Sequence, residues 1–377
     1  MAQTKVLRFT LFNLSGPGHG GDRRTAQLTE LLESSGLSWQ RIPDGMDPPG
    51  LNKVYFSRLY HIIILFFRLI FFIKKLPDPF RLYKTIKLTS QFTGIFNNIN
   101  RNEHKLLIWE MTKSEYAFIV PLFKSYGYNI LAVPHNLESL VPEQRSAISN
   151  RIAPLWRDEE FKVLALCDKV ITISIEDSAL LKNAGIDSET LPYFPASDQL
   201  KQLLDIRKER GTFKSVDPLR KKILMLGSAM NPPTRQGMKQ VLELFRNDHF
   251  AMCDLVVAGY YTEQFAEYNS GERINIIGTV TDEKLHDLLC ICDNALVCQP
   301  QTSGALTRIC EFLIAGIPVI SNIEAARSYS AVDGVYVYNN EEELKKFLTT
   351  YYPVPPVPQK PDREASFFVD MCLKYSK

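Results

Sequence analysis

The sequence predicts an α/β protein made of two units, each a parallel sheet covered by helices. Three observations predict it. At 377 residues the chain is longer than one hydrophobic core can fill. Short apolar runs alternate with amphipathic stretches along its length, as in strand–helix–strand units. The alternation stops at a charged, apolar-poor segment, 199–221, and restarts beyond it. With 45% hydrophobic and 23% charged residues and a formal net charge of +2, the chain is neither a disordered polymer nor a globally basic nucleic-acid binder.

The first unit, 1–198, opens with VLRFTLF (6–12) as a strand. KLLIWEM (105–111), NILAVPH (129–135) and KVITIS (169–174) read as further strands, with helical stretches at 23–35, 114–125 and 176–184. Residues 199–221 read as a linker. In the second unit, 222–355, the strands are KILMLGS (222–228), DLVVAGY (254–260), INIIGTV (274–280), ALVCQ (295–299) and GIPVISN (316–322). A Pro-rich turn (353–361) leads to a helix candidate over 362–377, whose apolar face of Phe367, Phe368, Met371 and Cys372 needs a surface to cover.

Seven scattered cysteines include no Cys-x2-Cys pair, so free thiols in a reducing compartment are expected and no zinc clasp. The N-terminus has no apolar region followed by small residues at a cleavage site. A cytoplasmic protein is the expectation.

Three stretches carry candidate chemistry. The first strand runs into SGPGHGGDRRTAQLTELLESSG (15–36), where Gly16, Gly18 and Gly21 satisfy G-x-G-x-x-G. A dinucleotide site, a plain tight turn and a loop facing a second domain's ligand all fit. Pro17 inside the turn counts against the dinucleotide, as does the next strand, which ends in Arg41-Ile42-Pro43-Asp44 with no clear acid poised for a ribose. The second stretch, PHNLES (134–139), puts His135 at the C-terminal end of a strand, where ligands bind in open parallel sheets; an ordinary structural histidine is the alternative. The third is QTSGALTRICEFLIAGIPVIS (301–321), with small polar residues after a strand and then a helix carrying Arg308 and Glu311 one turn apart. A helix N-terminus and Arg308 suit phosphates, and Glu311 suits vicinal ribose hydroxyls. An Arg-x-x-Glu surface pair is the bland alternative.

With LMLGSAMNPP (224–233), LVVAGY (255–260), INIIGTVTDEKLHDLLCICDNALV (274–297) and SGALTRICEFLIAGIPVISN (303–322), the second half resembles the donor domain of GT-B fold glycosyltransferases, retaining family four in particular. The first half is similar more loosely, through the Gly-Gly loop, PHNLES and CDKVITISIEDSALLKNAG (167–185). The resemblance implies two Rossmann-like domains facing across a cleft, with the C-terminal helix crossing back to the N-terminal domain. It implies an acceptor-side first domain and a nucleotide-sugar donor domain second. By the same resemblance Glu311 binds the donor ribose and Arg308 its phosphates. Thr279, Val280 and Thr281 contact the nucleobase, and Gly227 and Ser228 form the diphosphate loop. Ser303, Gly304 and Ala305 line the donor, Gly20 and Gly21 close over it, and His135 is the catalytic candidate contacting the donor sugar. Two departures stand out: the first glutamate of the family's pair is Ser303 here, and the usual Arg…Lys-Gly pair is replaced by Asn231-Pro-Pro-Thr-Arg235-Gln-Gly237, leaving Arg235 as a substitute phosphate cation.

Between Lys53 and Lys87 eight Lys or Arg face one acid, Asp78, so this stretch carries +7. Its apolar runs are too short to span a bilayer, and Arg68 interrupts them. Residues 58–87 read as a helix lying in an anionic membrane interface, with a core helix bearing a solvated basic edge as the alternative. No two aspartates lie two residues apart, so no Asp-x-Asp metal signature is present.

These readings lead to a metal-independent, retaining glycosyltransferase without a cofactor. Its expected partners are a nucleotide sugar and a glycan or lipid-linked acceptor, in surface polysaccharide or glycolipid synthesis of a bacterial type, at the inner face of a membrane. A non-catalytic GT-B-like subunit or scaffold, suggested by Ser303, is the alternative, and an NAD-dependent Rossmann enzyme a further one.

Overall fold

The computed structural model describes residues 5–14, 18–42, 63, 104–110, 112–113, 116–117, 119–143, 153–211, 220–246, 250–271 and 273–377. The basic stretch 58–87, save Ile63, lies outside the described residues, as do Gly16 and Pro17. The chain divides into two compact units. Residues 1–14, 28–192 and 361–377 form one, and 15–27 and 193–360 the other.

The first unit holds a six-stranded sheet, β1 (Lys5–Phe9), β2 (Ser38–Ile42), β3 (His104–Trp109), β4 (Asn129–Ala132), β5 (Lys169–Thr172) and β6 (Ser188–Thr190), in the order β2-β1-β3-β4-β5-β6. Every pairing is parallel. Helices α1 (Gly20–Ser34), α2 (Ile119–Ser125), α3 (Ala153–Leu164) and α4 (Ile175–Asn183) connect the strands. The apolar runs are continuous because both sheet faces are covered. In β3, Leu107 and Trp109 point into one core and Leu106 and Ile108 into the other, as the two-residue strand period requires. Ser174 caps α4, its hydroxyl accepting from the Asp177 N–H at 3.1 Å.

In the second unit, α5 (Ser197–Arg210) is a helix in most of the stretch read as a linker. Its charged residues dock it: Arg207 Nη1 donates to the Leu313 carbonyl at 3.0 Å and Arg210 Nη1 to the Cys292 carbonyl at 2.8 Å, so long cationic side chains take up carbonyls that helix ends leave open. The apolar count that suggests a linker misses this kind of attachment. The chain continues through β7 (Lys221–Leu226), α6 (Pro232–Phe245), β8 (Cys253–Ala258), β9 (Ile274–Gly278), α7 (Asp282–Ile291), β10 (Asn294–Val297), α8 (Thr307–Ile314), β11 (Val319–Asn322), β12 (Val335–Tyr338) and α9 (Glu341–Thr349). The sheet order is β12-β11-β10-β7-β8-β9, all parallel.

The last helix, α10 (Asp362–Tyr375), belongs to the first unit and packs on β3 and β4. Ala365, Phe368 and Cys372 fall on one helical face and join the core of Val6, Leu106, Ile108 and Leu131. Asn129 Nδ2 donates to the Tyr375 carbonyl at 2.7 Å and fixes the helix end. The apolar face of the final segment thus has its surface. Among the described residues, no helix is long and apolar enough to cross a membrane.

Candidate functional site

In the second sheet β7 pairs with both β8 and β10, so chain order reverses between β7 and β10. At such a switch point the loops leaving two neighbouring strands diverge and open a crevice at their C-terminal ends. The loop after β7 begins with Gly227-Ser228, and the loop after β10 carries Ser303, Gly304 and Ala305 into α8. Most of the donor residues expected from the sequence therefore lie on one edge of one unit.

Arg308 in the first turn of α8 ties that helix to the end of β7. Its Nη1 donates to the Leu226 carbonyl at the end of β7, and its Nη2 donates to Thr234 Oγ1 at 2.9 Å. Gly227 is required here, because a Cβ at that position would fall on the Arg308 guanidinium and within 2.9 Å of Thr234 Cγ2. Gly259, at φ +124°, backs onto Gly227 just as closely. Burial pushes the Arg308 pKa down to about 10, and the nearby charge of Arg23 pushes the same way.

Glu311, one turn on and 5% exposed, is held on both oxygens. Oε1 accepts from the Tyr193 hydroxyl at 2.8 Å and from Gln199 Nε2 at 2.9 Å, and Oε2 forms an ion pair with Arg23 Nη1. Burial holds the Tyr193 hydroxyl well above the usual phenol range and the Arg23 guanidinium below the usual arginine range. The expectation for Glu311 is an open acceptor for ribose hydroxyls. The structure engages the carboxylate with three protein donors, none of which stands out in the sequence. Arg23 and Gln199 look in sequence like ordinary polar positions on helix surfaces, and only long-range packing brings them here.

Gly20 lies against the start of α8, where a Cβ would come within 3.1 Å of Thr307 Oγ1. The Gly21 N–H donates to His19 Nδ1 at 3.2 Å. Thr279 Oγ1 accepts from the Tyr261 N–H at 3.4 Å, and Thr281 caps α7 by accepting from the Lys284 N–H at 3.2 Å; half-buried Val280 lies between them. Tyr261, at φ +65°, and Tyr260 are exposed beside this turn, and both escape the sequence reading. Arg235 is half-buried in the first turn of α6. That helix opens Pro232-Pro233, so its first two positions lack the N–H groups a phosphate would use. The α8 N-terminus has no side-chain cap and keeps its N–H groups.

His135 belongs to the first unit, in the loop after β4. Its ring stacks on Phe12 with centroids 4.5 Å apart. The loop is pinned three residues on, where Glu160 of α3 accepts from the Glu138 N–H at 2.8 Å and the Ser139 N–H at 3.0 Å. Burial raises the Glu160 pKa to about 7.

No family model matches the chain, and no curated protein matches it in sequence. Solved structures do match it along its length. Sucrose-phosphate synthase from Thermosynechococcus elongatus shares 12% identity at a TM-score of 0.62, over 98% of this chain and 97% of that one. The catalytic domain of starch synthase IV from Arabidopsis thaliana, bound to ADP and acarbose, shares 10% identity at 0.61, over 99% of each chain. Anabaena HepE, in complex with UDP and glucose, shares 11% identity at 0.55, over 99% of this chain and 94% of that one. The two parallel six-stranded sheets and the returning C-terminal helix give this chain the GT-B fold of those proteins.

Proposed function

We propose that the chain is a glycosyltransferase that takes a sugar from a nucleotide-sugar donor bound at the β7/β10 switch point and passes it to an acceptor hydroxyl. The observation that carries this reading is the convergence of the Gly227 loop, the uncapped α8 N-terminus and the Arg308 guanidinium on one crevice. In the same fold, HepE holds UDP and starch synthase IV holds ADP.

The chemistry asked of these residues is stabilisation of a leaving diphosphate. The N–H groups of the first α8 turn and the positive helix end favour the developing charge, and half-buried Arg308, held by Leu226 and Thr234, supplies a fixed cation without reorganisation. Arg308, Arg235 and the helix end would then neutralise the phosphates without a metal ion. Glu311 accepts the ribose hydroxyls once Arg23 yields Oε2. Retention of anomeric configuration, a role for His135 at the donor sugar, and a glycan or lipid-linked acceptor in surface polysaccharide or glycolipid synthesis follow from the family-four resemblance. Contact with an anionic membrane through 58–87 rests on the charge of that stretch.

A second reading, a GT-B-fold subunit without catalysis, draws on the Glu311 carboxylate, already engaged by three protein donors, together with Ser303. One experiment separates the two. Purified protein is screened by thermal shift against UDP, ADP, GDP, NAD and their sugar conjugates, and release of nucleoside diphosphate is then measured with and without Mg2+ or Mn2+. A ligand at a hundred times its dissociation constant adds about 2.7 kcal/mol of stability. The transferase reading expects one nucleotide class to stabilise, with metal-indifferent release of its diphosphate. Stabilisation without release supports the scaffold, and stabilisation by NAD alone overturns both.

A further inference from the structure

Two helix ends away from the candidate donor site bring together three metal-ligating side chains that the proposed reaction does not use. His286 and Cys290 stand four residues apart in α7 and share a helical face. Glu209, in the last turn of α5, meets them there. Glu209 Oε2 lies 3.3 Å from His286 Nε2 and 3.9 Å from Cys290 Sγ, and Sγ lies 3.9 Å from His286 Nδ1. The ligand atoms of all three lie within 4.8 Å of one another, and this is the one such group of three among the described residues.

We propose that Glu209, His286 and Cys290 bind one Zn2+ ion, with water in the fourth position, fastening the end of α5 to the end of α7. The ligand chemistry fits a borderline-soft ion that takes thiolate, imidazole and carboxylate together. Zinc bonds of about 2.0–2.3 Å in a tetrahedron set ligand atoms roughly 3.3–3.8 Å apart; with one imidazole nitrogen as ligand and the three ligand atoms within 4.8 Å of one another, side-chain adjustments of about 1 Å close the cluster on an ion.

The surroundings favour a cation. Glu209 and Cys290 lie in the last turns of their helices, where the C-terminal carbonyls carry partial negative charge. Arg210 already uses part of that potential, its guanidinium donating to the carbonyls of Leu289, Cys290 and Cys292, so the Glu209 carboxylate and the Cys290 thiolate supply the charge that holds the ion. Burial, then the Glu209 carboxylate, hold the Cys290 thiol above its ordinary range, with the Arg210 guanidinium pulling the other way. Binding replaces the S–H bond with an S–Zn bond and releases that proton to solvent. The site is separate from the nucleotide chemistry: α7 starts at the sheet edge that carries Thr281 and runs about 12 Å away from it before reaching Cys290.

Cobalt spectroscopy tests the assignment on the full chain. Protein freed of metal by chelator dialysis is titrated with Co2+. The expected result is one ion per chain, with the strong visible bands of four-coordinate cobalt, a thiolate-to-cobalt charge-transfer band and displacement of both by Zn2+. Cys290→Ser removes the charge-transfer band, and His286→Ala and Glu209→Gln each weaken binding at least tenfold. Cys167→Ser, in the other unit, changes nothing. If Cys290→Ser does not fold, the half-exposed His286→Ala carries the test. Absence of the charge-transfer band from the wild type, or its survival in both Cys290→Ser and His286→Ala, overturns the site.

Discussion

Arg23 and Glu311 are ion-paired although 288 positions apart in sequence, and the same carboxylate takes hydrogen bonds from Tyr193 and Gln199 on its other oxygen. The pair sits one helical turn from Arg308, whose charge Arg23 opposes. On the proposed function, a donor bound at this edge would redistribute three charges rather than fill an empty slot.

Breaking that pair should be costly. Glu311→Ala leaves Arg23 without its carboxylate, and we expect a loss of about 3 kcal/mol, the low end for a buried pair because Arg23 retains some exposure. Arg23→Ala and the double variant complete a cycle in urea denaturation, with an expected coupling of about 1–3 kcal/mol. Zero coupling would mean that the pair does not form in solution.

At Gly227 the expectation is steric. Gly227→Ala drives a methyl group onto the Arg308 guanidinium, and overpacking of this kind costs about 1–3 kcal/mol. Nucleotide binding should fall with it, because Arg308 must give up the Leu226 carbonyl or Thr234. Gly36→Ala, at a turn with open space but a left-handed φ of +72°, is the control: it costs stability through its backbone and should leave nucleotide affinity unchanged.

Much of the fold is legible in sequence because parallel strands buried on both faces read as unbroken apolar runs, as in KLLIW and KVIT. The strands end earlier than the runs suggest where the chain turns into loops, as at Ala258 before Gly259. Helix α5 is hidden because its attachment is made by arginines to carbonyls, and β12 because VYVY is short and only partly buried. The Arg308–Glu311 motif is visible as a spacing. What saturates it is not, since Arg23, Tyr193 and Gln199 converge through the tertiary fold and no local pattern marks them.

Glu160 gives the first unit a pH signature. Its folded pKa, raised by burial to about 7, lies above its value in an unfolded chain, so the folded state holds the proton more tightly. The stabilisation is complete below about pH 4.5 and is lost as pH rises through 7, with an upper bound of about 3 kcal/mol. Denaturation at pH 5 and pH 8 should show this decline, and Glu160→Gln should flatten it. An equal slope in the variant would assign the decline to other groups.

The basic stretch supports a lipid prediction. Cations near an anionic leaflet contribute about 1 kcal/mol each and lose it in salt. The protein should float with anionic liposomes at low salt, and the triple variant Arg68→Glu, Lys74→Glu, Lys75→Glu should remain in solution. A wild type that ignores anionic vesicles would point to a core role for 58–87 and leave a soluble acceptor equally open.

Calorimetric titration of UDP, ADP and GDP into wild type and Arg308→Ala bears most directly on the central claim, that the β7/β10 edge holds a nucleoside diphosphate. Removing a charge-assisted partner costs about 1.5–3 kcal/mol, or roughly ten- to a hundredfold in affinity. We expect one nucleotide to bind at one site per chain and Arg308→Ala, confirmed folded by circular dichroism, to weaken it at least tenfold. Failure of all three to bind, or equal affinity in the folded variant, would contradict the assignment.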